Sequence, residues 1–410
     1  MRVLLVHSRY RSATPSGENR VVDQESEELA RAGHEIRRFE KDSDEIEHWS
    51  AAQKALLPAR VVWSRESHRE LTATLRAYRP DIVHVHNTFP LVSAAVLYAC
   101  RDASVPVVAT IHNYRLLCAP GDFMRQGAVC HDCLHKLPVR GAVHGCYRGS
   151  RAATAPLVVA SIAHRKAWRS LVSAYVFISA AQRDLHLALN LPPSRVFVRH
   201  NMIPYRGIQP VPRDPTVAYI GRLEPGKGVQ LLMAAWDRYL SSSHVPGLRL
   251  VIAGTGSLDR EVAAWASGRP SVEMLGLIPP AQVRKVMSRA RAILAPSVWE
   301  EPFGLVVVEA MAAGTPAIAA GHGSFTELVT PGTDGVLFRP GDPGGLADAV
   351  ADVAAHPEKY ESYGRRARES YEQKFNPDDS LKHLLEIYSF AMTYPVSGRA
   401  VMEQTPDHTS

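Results

Sequence analysis

Short apolar segments alternate with segments of helical period along the first half of the chain. Strands are predicted at Val3–Val6, Glu35–Phe39, Ile82–Val85 and Val107–Ile111, and a helix is predicted over Glu25–Ala32. Strands that alternate with helices form βαβ units, which build parallel sheets with helices on their faces. The pattern therefore predicts an α/β domain.

The same alternation begins again in the second half. Six further strands are predicted, at Val217–Ile220, Leu250–Ala253, Val272–Leu275, Ala292–Ala295, Ala317–Ala319 and Gly335–Phe338. The stretch 208–215 between the halves is rich in proline and shows neither period. We therefore predict a first domain over 1–207, a linker over 208–215 and a second domain over 216–376.

Length and composition agree with two domains. The chain has 410 residues, 46% of them hydrophobic, and a single core stops growing near about 250–300 residues. No apolar run reaches the roughly 18 residues that a membrane-spanning helix needs. The first apolar run, within 1–7, is too short for a signal peptide. We therefore expect a cytoplasmic protein.

Two carboxylates flank a glycine in the second domain. Gly304 opens an apolar helix, and Glu301 and Glu309 lie eight positions apart around it. At a rise of about 1.5 Å per residue, Glu309 lies roughly 7 Å from Gly304 along the axis. We predict that Glu309 accepts ribose hydroxyls and that Glu301 faces a sugar; an ordinary strand–loop–helix unit with two solvated glutamates is the alternative.

The start of this helix should bind an anion. Unpaired backbone N–H groups and the positive end of the helix dipole favour a diphosphate at a helix N-terminus. The residues concerned are Phe303, Gly304, Leu305 and Val306.

A second turn carries two cations. Gly221 and Arg222 follow the strand predicted at Val217–Ile220, and Lys227 precedes the next helix. Arg222 can form forked hydrogen bonds with phosphate oxygens, and Lys227 can act as a point charge. Together they can neutralise a leaving diphosphate without a metal ion; two surface bases on a Gly/Pro turn are the alternative.

These motifs together resemble the signature of a known family, the retaining glycosyltransferases of family 4. The matching segments are Gly221-Arg222, Lys227-Gly228 and Glu301-Pro302-Phe303-Gly304 through Glu309-Ala310. The resemblance extends from Met1 to about Tyr394 and implies a GT-B fold, in which two Rossmann-like domains face each other across a cleft. It also implies that the helix expected in 377–394 returns to the first domain. The polar tail 395–410 is expected to be disordered.

The resemblance implies transfer of a sugar from a nucleotide-diphosphate donor, a UDP- or GDP-sugar. The acceptor would be a hydroxyl of a glycan, a lipid-linked glycan or a natural product, and the anomeric configuration would be retained. No nucleophilic carboxylate is evident on the cleft side of the first domain, so we expect front-face displacement. No cofactor is expected for catalysis. The catalytic candidates are His112, Glu301, Arg222 and Lys227.

The first domain should supply the acceptor side. Gly17 precedes a helix and lets the backbone approach the donor phosphate, although Ser16 can also serve as an N-cap. His112 follows a predicted strand at the sheet edge that binds ligands in open α/β folds, and in the resembling family a histidine here contacts the donor sugar. We leave out His84 and His86, which lie on and just after a strand. The acceptor-side candidates are Asn19, Asn113 and Asn201.

This region departs from the family pattern at several positions. Relatives usually carry two glycines and then an acidic pair, whereas this chain has Ser16 in place of one glycine and Asn19 in place of one acid. Met202 and Pro204 depart from the usual sequence around Asn201.

In the second domain, we expect Gly254 and Gly256 to contact the nucleotide. Leu275 should line the base pocket through its backbone.

Four of the five cysteines fall in an insertion over 116–150. Their spacing is C-x11-C-x2-C-x12-C, and a central Cys-x-x-Cys in a cytoplasmic protein indicates zinc. Some members of the resembling family carry a similar insertion. We predict a structural zinc, with four reduced thiols as the alternative and His131, His135 and His144 as rival ligands. The predicted ligands are Cys118, Cys130, Cys133 and Cys146.

The net charge of +6 is unevenly distributed. The segment Cys133–Arg183 contains eight Lys and Arg residues and no Asp or Glu. An anionic bilayer that carries a lipid-linked acceptor would attract this segment, although a solvated basic face is the alternative. No nucleic-acid motif accompanies the charge, so no nucleic-acid partner is expected.

Three other functions remain open. A phosphorylase of the same architecture would need a lysine placed for pyridoxal phosphate, and no motif beyond Lys227 suggests one. A hydrolase or epimerase of the free sugar nucleotide would act without an acceptor. A non-catalytic binding module would keep the donor residues and release no nucleotide.

Overall fold

The structure is a computed structural model that describes residues 1–12, 16–204, 211–242 and 247–394. The predicted tail 395–410 and part of the predicted linker, 208–210, lie outside these residues. No helix in the described part of the chain is both long and apolar enough to cross a bilayer.

The first domain is built on a six-stranded parallel sheet. Its elements in chain order are β1 (Arg2–Arg9), α1 (Gly17–Arg31), β2 (Glu35–Asp42), α2 (Ala51–Ala55), α3 (Leu57–Val62), α4 (Arg65–Tyr78), β3 (Ile82–Asn87), α5 (Ala95–Asp102), β4 (Val107–Ile111), β5 (Met124–Arg125), β6 (Ala128–Val129), α6 (Val139–His144), α7 (Arg151–Ala163), α8 (Arg165–Ser170), β7 (Ala174–Phe177), α9 (Ala180–His186) and β8 (Val196–Val198). The strand order is β2-β1-β3-β4-β7-β8, and Val3 pairs with Ile36 and Ile82 on its two sides. Strands β5 and β6 form a separate antiparallel hairpin in the insertion. The sequence analysis did not predict β7 or β8.

The second domain repeats this plan. Its elements are β9 (Thr216–Ile220), α10 (Val229–Ser242), β10 (Arg249–Ala253), α11 (Asp259–Ala266), β11 (Val272–Gly276), α12 (Pro280–Arg289), β12 (Ala292–Ala295), α13 (Leu305–Ala312), β13 (Ala317–Ala320), α14 (Phe325–Leu328), β14 (Gly335–Phe338), α15 (Pro343–Ala355) and α16 (Pro357–Lys374), and the chain ends with α17 (Pro377–Thr393). The parallel strands follow the order β11-β10-β9-β12-β13-β14. The predicted fold class, two α/β domains with parallel sheets, is therefore confirmed.

Helix α17 packs on the first domain. Its apolar face, including Leu384, Ile387 and Tyr388, is buried in one cluster with Val3 and Leu5 of β1. Full burial of such side chains stabilises by about 1.5–3 kcal/mol each. The chain therefore passes between the domains twice.

The two passages lie side by side. Arg199 Nε donates to the Ser380 carbonyl at 2.9 Å, and the Tyr371 hydroxyl donates to the Ile203 carbonyl at 2.6 Å. Because residues 199–203 contact 371–380, both connections occupy the same edge of the domain interface.

Candidate active site

A cleft of about 1630 Å³ lies between the two domains. The second domain contributes the carboxyl ends of β9 and β12 and the first turn of α13, and the first domain contributes the loops after β1 and β4 and parts of α3 and α7. The order of the second sheet reverses at β9, so the cleft lies where open α/β sheets bind ligands.

The first turn of α13 presents backbone donors to the cleft. Gly304, which precedes the helix, has a φ of 84°, and a Cβ there would lie 2.5 Å from the Phe325 ring, so only glycine fits. Leu305 and Val306 line the cleft, and their N–H groups have no acceptor within the helix. This end of the helix can therefore bind an anion.

Glu301, which is buried, and Lys227, which is partly exposed, form an ion pair in the same cleft. Lys227 Nζ lies 2.9 and 2.8 Å from the two carboxylate oxygens, and Trp299 Nε1 and Ser297 Oγ donate to Glu301 at 2.7 and 3.0 Å. Burial raises the pKa of Glu301, but Lys227 and these donors outweigh burial, so the pKa lies below its ordinary value. Glu301 is ionised, and a sugar hydroxyl would have to share it with these partners.

Arg222 is exposed and lines the cleft, and it forms no ion pair with any residue that the structure describes. Two glycines near Arg222 lie so close to neighbouring backbone that no side chain would fit at either position. A Cβ on Gly228 would lie 1.8 Å from the Pro296 carbonyl oxygen, and a Cβ on Gly254 would lie 1.8 Å from that of Gly221. Because Arg222 is exposed and has no ion-pair partner among the described residues, its guanidinium is available to a diphosphate.

Two contacts join α13 to α1 of the first domain. Glu309 pairs with Arg20 of α1, with 2.7 Å between Oε1 and the guanidinium. Burial raises the pKa of Glu309, and Arg20 offsets only part of that effect. A Cβ on Gly17 would lie 2.6 Å from Leu305 Cδ1. The start of α1 therefore packs directly on the first turn of α13.

Ser16 and Asn19 shape the loop that makes these contacts. Ser16 caps α1 by accepting a hydrogen bond from the Asn19 N–H at 3.3 Å. The Asn19 side chain bonds to His7 Nε2 at 2.8 Å and to both backbone groups of Tyr10. Asn19 lines the cleft, but its amide holds the loop after β1.

A row of histidines runs beneath the first-domain wall. His112 Nε2 lies 3.0 Å from His86 Nδ1, and His86 Nε2 lies 3.3 Å from the Glu25 carboxylate. His84 stands beside His86 on β3, and its Nδ1 lies 3.1 Å from Glu25. The sequence analysis left out both His84 and His86, although residues two apart on a strand share one face.

Charge in this network is concentrated on one buried pair. Arg199 donates to Glu25 at 2.7 Å. Burial raises the pKa of Glu25, but Arg199 and His84 outweigh burial and hold that pKa well below its ordinary value. Burial lowers the pKa of His86 to about 4 and that of His112 well below its ordinary range. His86 and His112 are therefore neutral beside a charge-balanced pair.

We infer the tautomers of this row from the charge of the Glu25 carboxylate, which lies 3.3 Å from His86 Nε2 without forming a hydrogen bond to it. The carboxylate favours a proton on His86 Nε2, which leaves His86 Nδ1 to accept from His112 Nε2–H. His112 Nδ1 then carries the lone pair. Because His112 lines the cleft, it can accept a hydrogen bond from a hydroxyl bound there.

The same network contains a possible set of metal ligands. Among the described residues, Glu25, His84 and His86 form the only group of three whose donor atoms lie within 4.8 Å of one another. Arg199 already balances the carboxylate, and the Tyr388 hydroxyl lies 2.8 Å from His84 Nδ1. These contacts describe a hydrogen-bonded network, and we assign no cation to it.

The first-domain wall carries carboxyl groups to which the sequence analysis assigned no role. Glu18, in the first turn of α1, and Asp122, in the insertion, both line the cleft. Burial raises the pKa of Glu18 to about 8, despite Arg115 and a hydrogen bond from Asn113. Burial also raises the pKa of Asp122. At neutral pH Glu18 is mainly protonated, and a neutral carboxyl is a poor nucleophile.

Two predicted donor residues do not line the cleft. A Cβ on Gly256 would lie 2.4 Å from the Leu223 carbonyl oxygen, so Gly256 serves the packing of that turn. Leu275 packs against the domain core, and Leu277 and Ile278 line the cleft instead. The other donor and acceptor candidates all line it: Gly17, Asn19, His112, Asn113, Asn201, Gly221, Arg222, Lys227, Gly254, Glu301, Phe303, Gly304, Leu305, Val306 and Glu309.

The four cysteines of the insertion are free thiols. No three of their sulfurs lie within 4.8 Å of one another in the described structure, whereas Zn–S bonds of about 2.3 Å place tetrahedral ligands about 3.8 Å apart. Burial raises the pKa of the Cys133 and Cys146 thiols, with Cys130 adding to both. Three thiols thus lie close enough to interact electrostatically, but no zinc geometry is preformed. The zinc site stays a prediction.

Comparison with known proteins identifies the family. Residues 15–205 match the family described as Glycosyltransferase Family 4, and residues 206–370 match Glycosyl transferases group 1. The chain belongs to glycosyltransferase family 4. This glycosyltransferase is 28% identical to glycogen synthase of Mycobacterium tuberculosis over 414 residues, which cover 92% of this chain and 91% of that protein. It is 33% identical to D-inositol 3-phosphate glycosyltransferase of Segniliparus rotundus over 188 residues, 44% of this chain and 41% of that protein.

Solved structures show the same GT-B fold. Sucrose-phosphate synthase from Thermosynechococcus elongatus has a TM-score of 0.72 at 19% identity and covers 96% of this glycosyltransferase and 99% of its own chain. Anabaena HepE in complex with UDP-glucose has a TM-score of 0.67 at 19% identity, with coverage of 95% and 99%.

Proposed function

We propose that this glycosyltransferase transfers a sugar from a UDP- or GDP-sugar to a hydroxyl of a glycan, glycolipid or natural product, with retention of configuration. One observation carries the proposal: the α13 N-terminus, the Arg222 guanidinium, the Lys227–Glu301 pair and Glu309 all line one cleft. The complex of HepE with UDP-glucose supports a nucleotide-sugar donor.

Each group has a role that its chemistry supports. The N–H groups of Leu305 and Val306 and the Arg222 guanidinium bind the diphosphate, and Lys227 neutralises charge that develops on it. Glu309 accepts the ribose hydroxyls after it releases Arg20. These positive groups stabilise the leaving group without a metal ion.

The reaction proceeds by front-face displacement. The bond between the anomeric carbon and the phosphate oxygen breaks, and the acceptor oxygen forms its bond on the same face. The acceptor proton passes to the departing phosphate oxygen. Glu18 is mainly protonated at neutral pH and is then a poor nucleophile, which favours a mechanism without a covalent intermediate on this residue. His112 Nδ1 and Glu301 orient the sugar hydroxyls.

A panel of UDP- and GDP-sugars, assayed for release of the nucleoside diphosphate with soluble and lipid-linked acceptors, tests the proposal. We expect one donor to be consumed rapidly only when an acceptor is present. Nuclear magnetic resonance of the product should show the anomeric configuration of the donor. Equal release without an acceptor would identify a hydrolase, and an inverted product would contradict retention.

A further inference from the structure

Helices α3, α6 and α7 pack together beside the cleft. A small apolar cluster that includes Val61, Phe89, Leu157 and Val158 lies between them. Large aliphatic side chains on α6 and α7 and just before α3 and α6 are exposed to solvent, and we call this set the apolar patch: Leu56, Leu137, Val139, Val143, Val159 and Ile162.

The apolar patch is concentrated rather than scattered. It holds six of the fourteen large apolar side chains that are exposed in the described part of the chain. Val139 and Val143 are four residues apart on α6, and Val159 and Ile162 are three apart on α7, so each pair lies on one helix face. Single exposed apolar side chains are ordinary, whereas a concentration of them marks a binding surface.

Positive charge accompanies the apolar patch along the chain through α6 and α7. No Asp or Glu occurs from Cys133 to Arg183. The only charged residue of α7 is Arg151, at its first position. The exposed bases of this segment are Lys136, Arg140, Arg148, Arg151, Lys166 and Arg169. Aliphatic side chains beside bases match the acyl boundary and the anionic headgroups of a bilayer.

The cleft also reaches these helices. Its lining continues past His112 along apolar residues of α3 and α7 and the loop after β3, namely Leu57, Pro58, Val61, Phe89, Pro156 and Leu157. A lipid-linked acceptor held at the apolar patch would therefore meet an apolar wall on its way to the donor site.

We propose that α6 and α7 dock this enzyme on an anionic bilayer through the apolar patch and its bases. Docking itself does not depend on the reaction. The delivery of a lipid-linked acceptor from the bilayer to the cleft rests on the proposed function.

Sedimentation of the full chain with vesicles tests the docking. The parent should bind vesicles of equal parts phosphatidylglycerol and phosphatidylcholine at least tenfold more tightly than vesicles of phosphatidylcholine alone. The double variant Val143→Glu/Val159→Glu should lose at least tenfold in binding to the anionic vesicles. Leu240→Glu is the control, because Leu240 is also exposed, at 44% against 54% for Val143 and 51% for Val159, but lies on α10 of the second domain. It should bind as the parent does, and each single variant, Val143→Glu and Val159→Glu, is compared with it so that the introduced charge is the same.

Three outcomes would overturn the proposal: no vesicle binding by the parent, equal binding to both kinds of vesicle, or equal losses in the double variant and the control. If the parent is a dimer that the double variant dissociates, and the parent binds no vesicles, the apolar patch is an interface between copies of this chain. Circular dichroism checks that each variant is folded. Nucleotide release with a soluble acceptor is measured separately, so failure of the proposed function would not be mistaken for failure of docking.

Discussion

The two walls of the cleft are built from similar sheets but use charge differently. On the second-domain wall, Arg222 and the Lys227–Glu301 pair face the space that a ligand would occupy. On the first-domain wall, the ion pair of Glu25 and Arg199 is buried behind neutral His86 and His112. The second-domain wall is therefore suited to act on charge in a ligand, whereas the part of the first-domain wall around His112 uses buried charge to fix the orientation of neutral groups.

Glu25→Gln should have the largest effect, because it leaves Arg199 as an uncompensated buried charge. Breaking a buried pair costs about 3–5 kcal/mol. We expect that loss in the free energy of unfolding, measured by urea titration. Glu301→Gln on the opposite wall is the comparison and should cost less, because Lys227 is partly exposed to water. Equal losses from the two variants would remove the proposed difference between the walls.

Arg222→Ala should lower turnover by about 10²–10³-fold, or about 2.7–4 kcal/mol, because it removes stabilisation of the leaving diphosphate. Its folding stability should remain that of the parent. Arg260→Ala, another exposed arginine in the second domain but outside the cleft lining, is the matched control. Turnover of Arg222→Ala within threefold of the parent would show that this arginine does not serve the leaving group.

Glu309→Ala should weaken donor binding by about 1.5–3 kcal/mol through lost hydrogen bonds to ribose. Calorimetry measures the donor Kd. Arg20→Ala removes only the partner across the cleft, so its donor Kd should be no weaker than that of the parent. An unchanged Kd in Glu309→Ala would refute the ribose assignment.

Glu18→Gln should change how stability depends on pH. The pKa of Glu18 is raised from 4.5 to about 8 in the folded protein. Its protonated form therefore contributes to the free energy of unfolding in full below about pH 4.5, and this contribution is lost as the pH rises through about 8. Glutamine cannot ionise. Between pH 6 and pH 9 the parent should therefore lose roughly 2.7 kcal/mol relative to the variant, at about 1.4 kcal/mol per pKa unit. The Tm of the variant should gain about 5–11 °C on the parent over this range. Parallel Tm curves over this range would contradict the raised pKa.

The zinc prediction concerns the first domain alone. Protein purified without chelator should contain about one zinc per chain if metal binding orders the insertion, and Cys133→Ser should lose it together with some thermal stability. Donor binding by the second domain should not change. Elemental analysis decides the point, and a zinc content near zero with no other metal would refute the site.

The sequence predicted the second-domain wall better than the first. The groups proposed to bind the donor lie in or next to local turns, so Arg222, Gly304 and Glu309 could be found from short motifs. The first-domain network joins residues far apart in the chain, such as Glu25 and Arg199, which are separated by 174 positions, and no local pattern relates them. Glu18 was missed because no local pattern shows that the first turn of α1 brings its side chain to the cleft.

One signal in the sequence could have revealed part of this network. His84 and His86 alternate with valines in a strand that is buried along its whole length. Ionisable side chains rarely occur in such a strand without partners, so their presence indicates a buried polar cluster. Leu275 and Gly256 show the opposite case, since packing of the second domain accounts for both residues without a ligand.

The side-by-side passages at 199–203 and 371–380 have a mechanical consequence. Two rigid bodies joined along a single edge can rotate about that edge, while sliding and twisting would strain both connections. Opening of the cleft should then approximate one angular coordinate, so that the separation of Arg20 and Glu309 and that of Gly17 and Leu305 change together. One distance measured across the cleft would then report the whole motion.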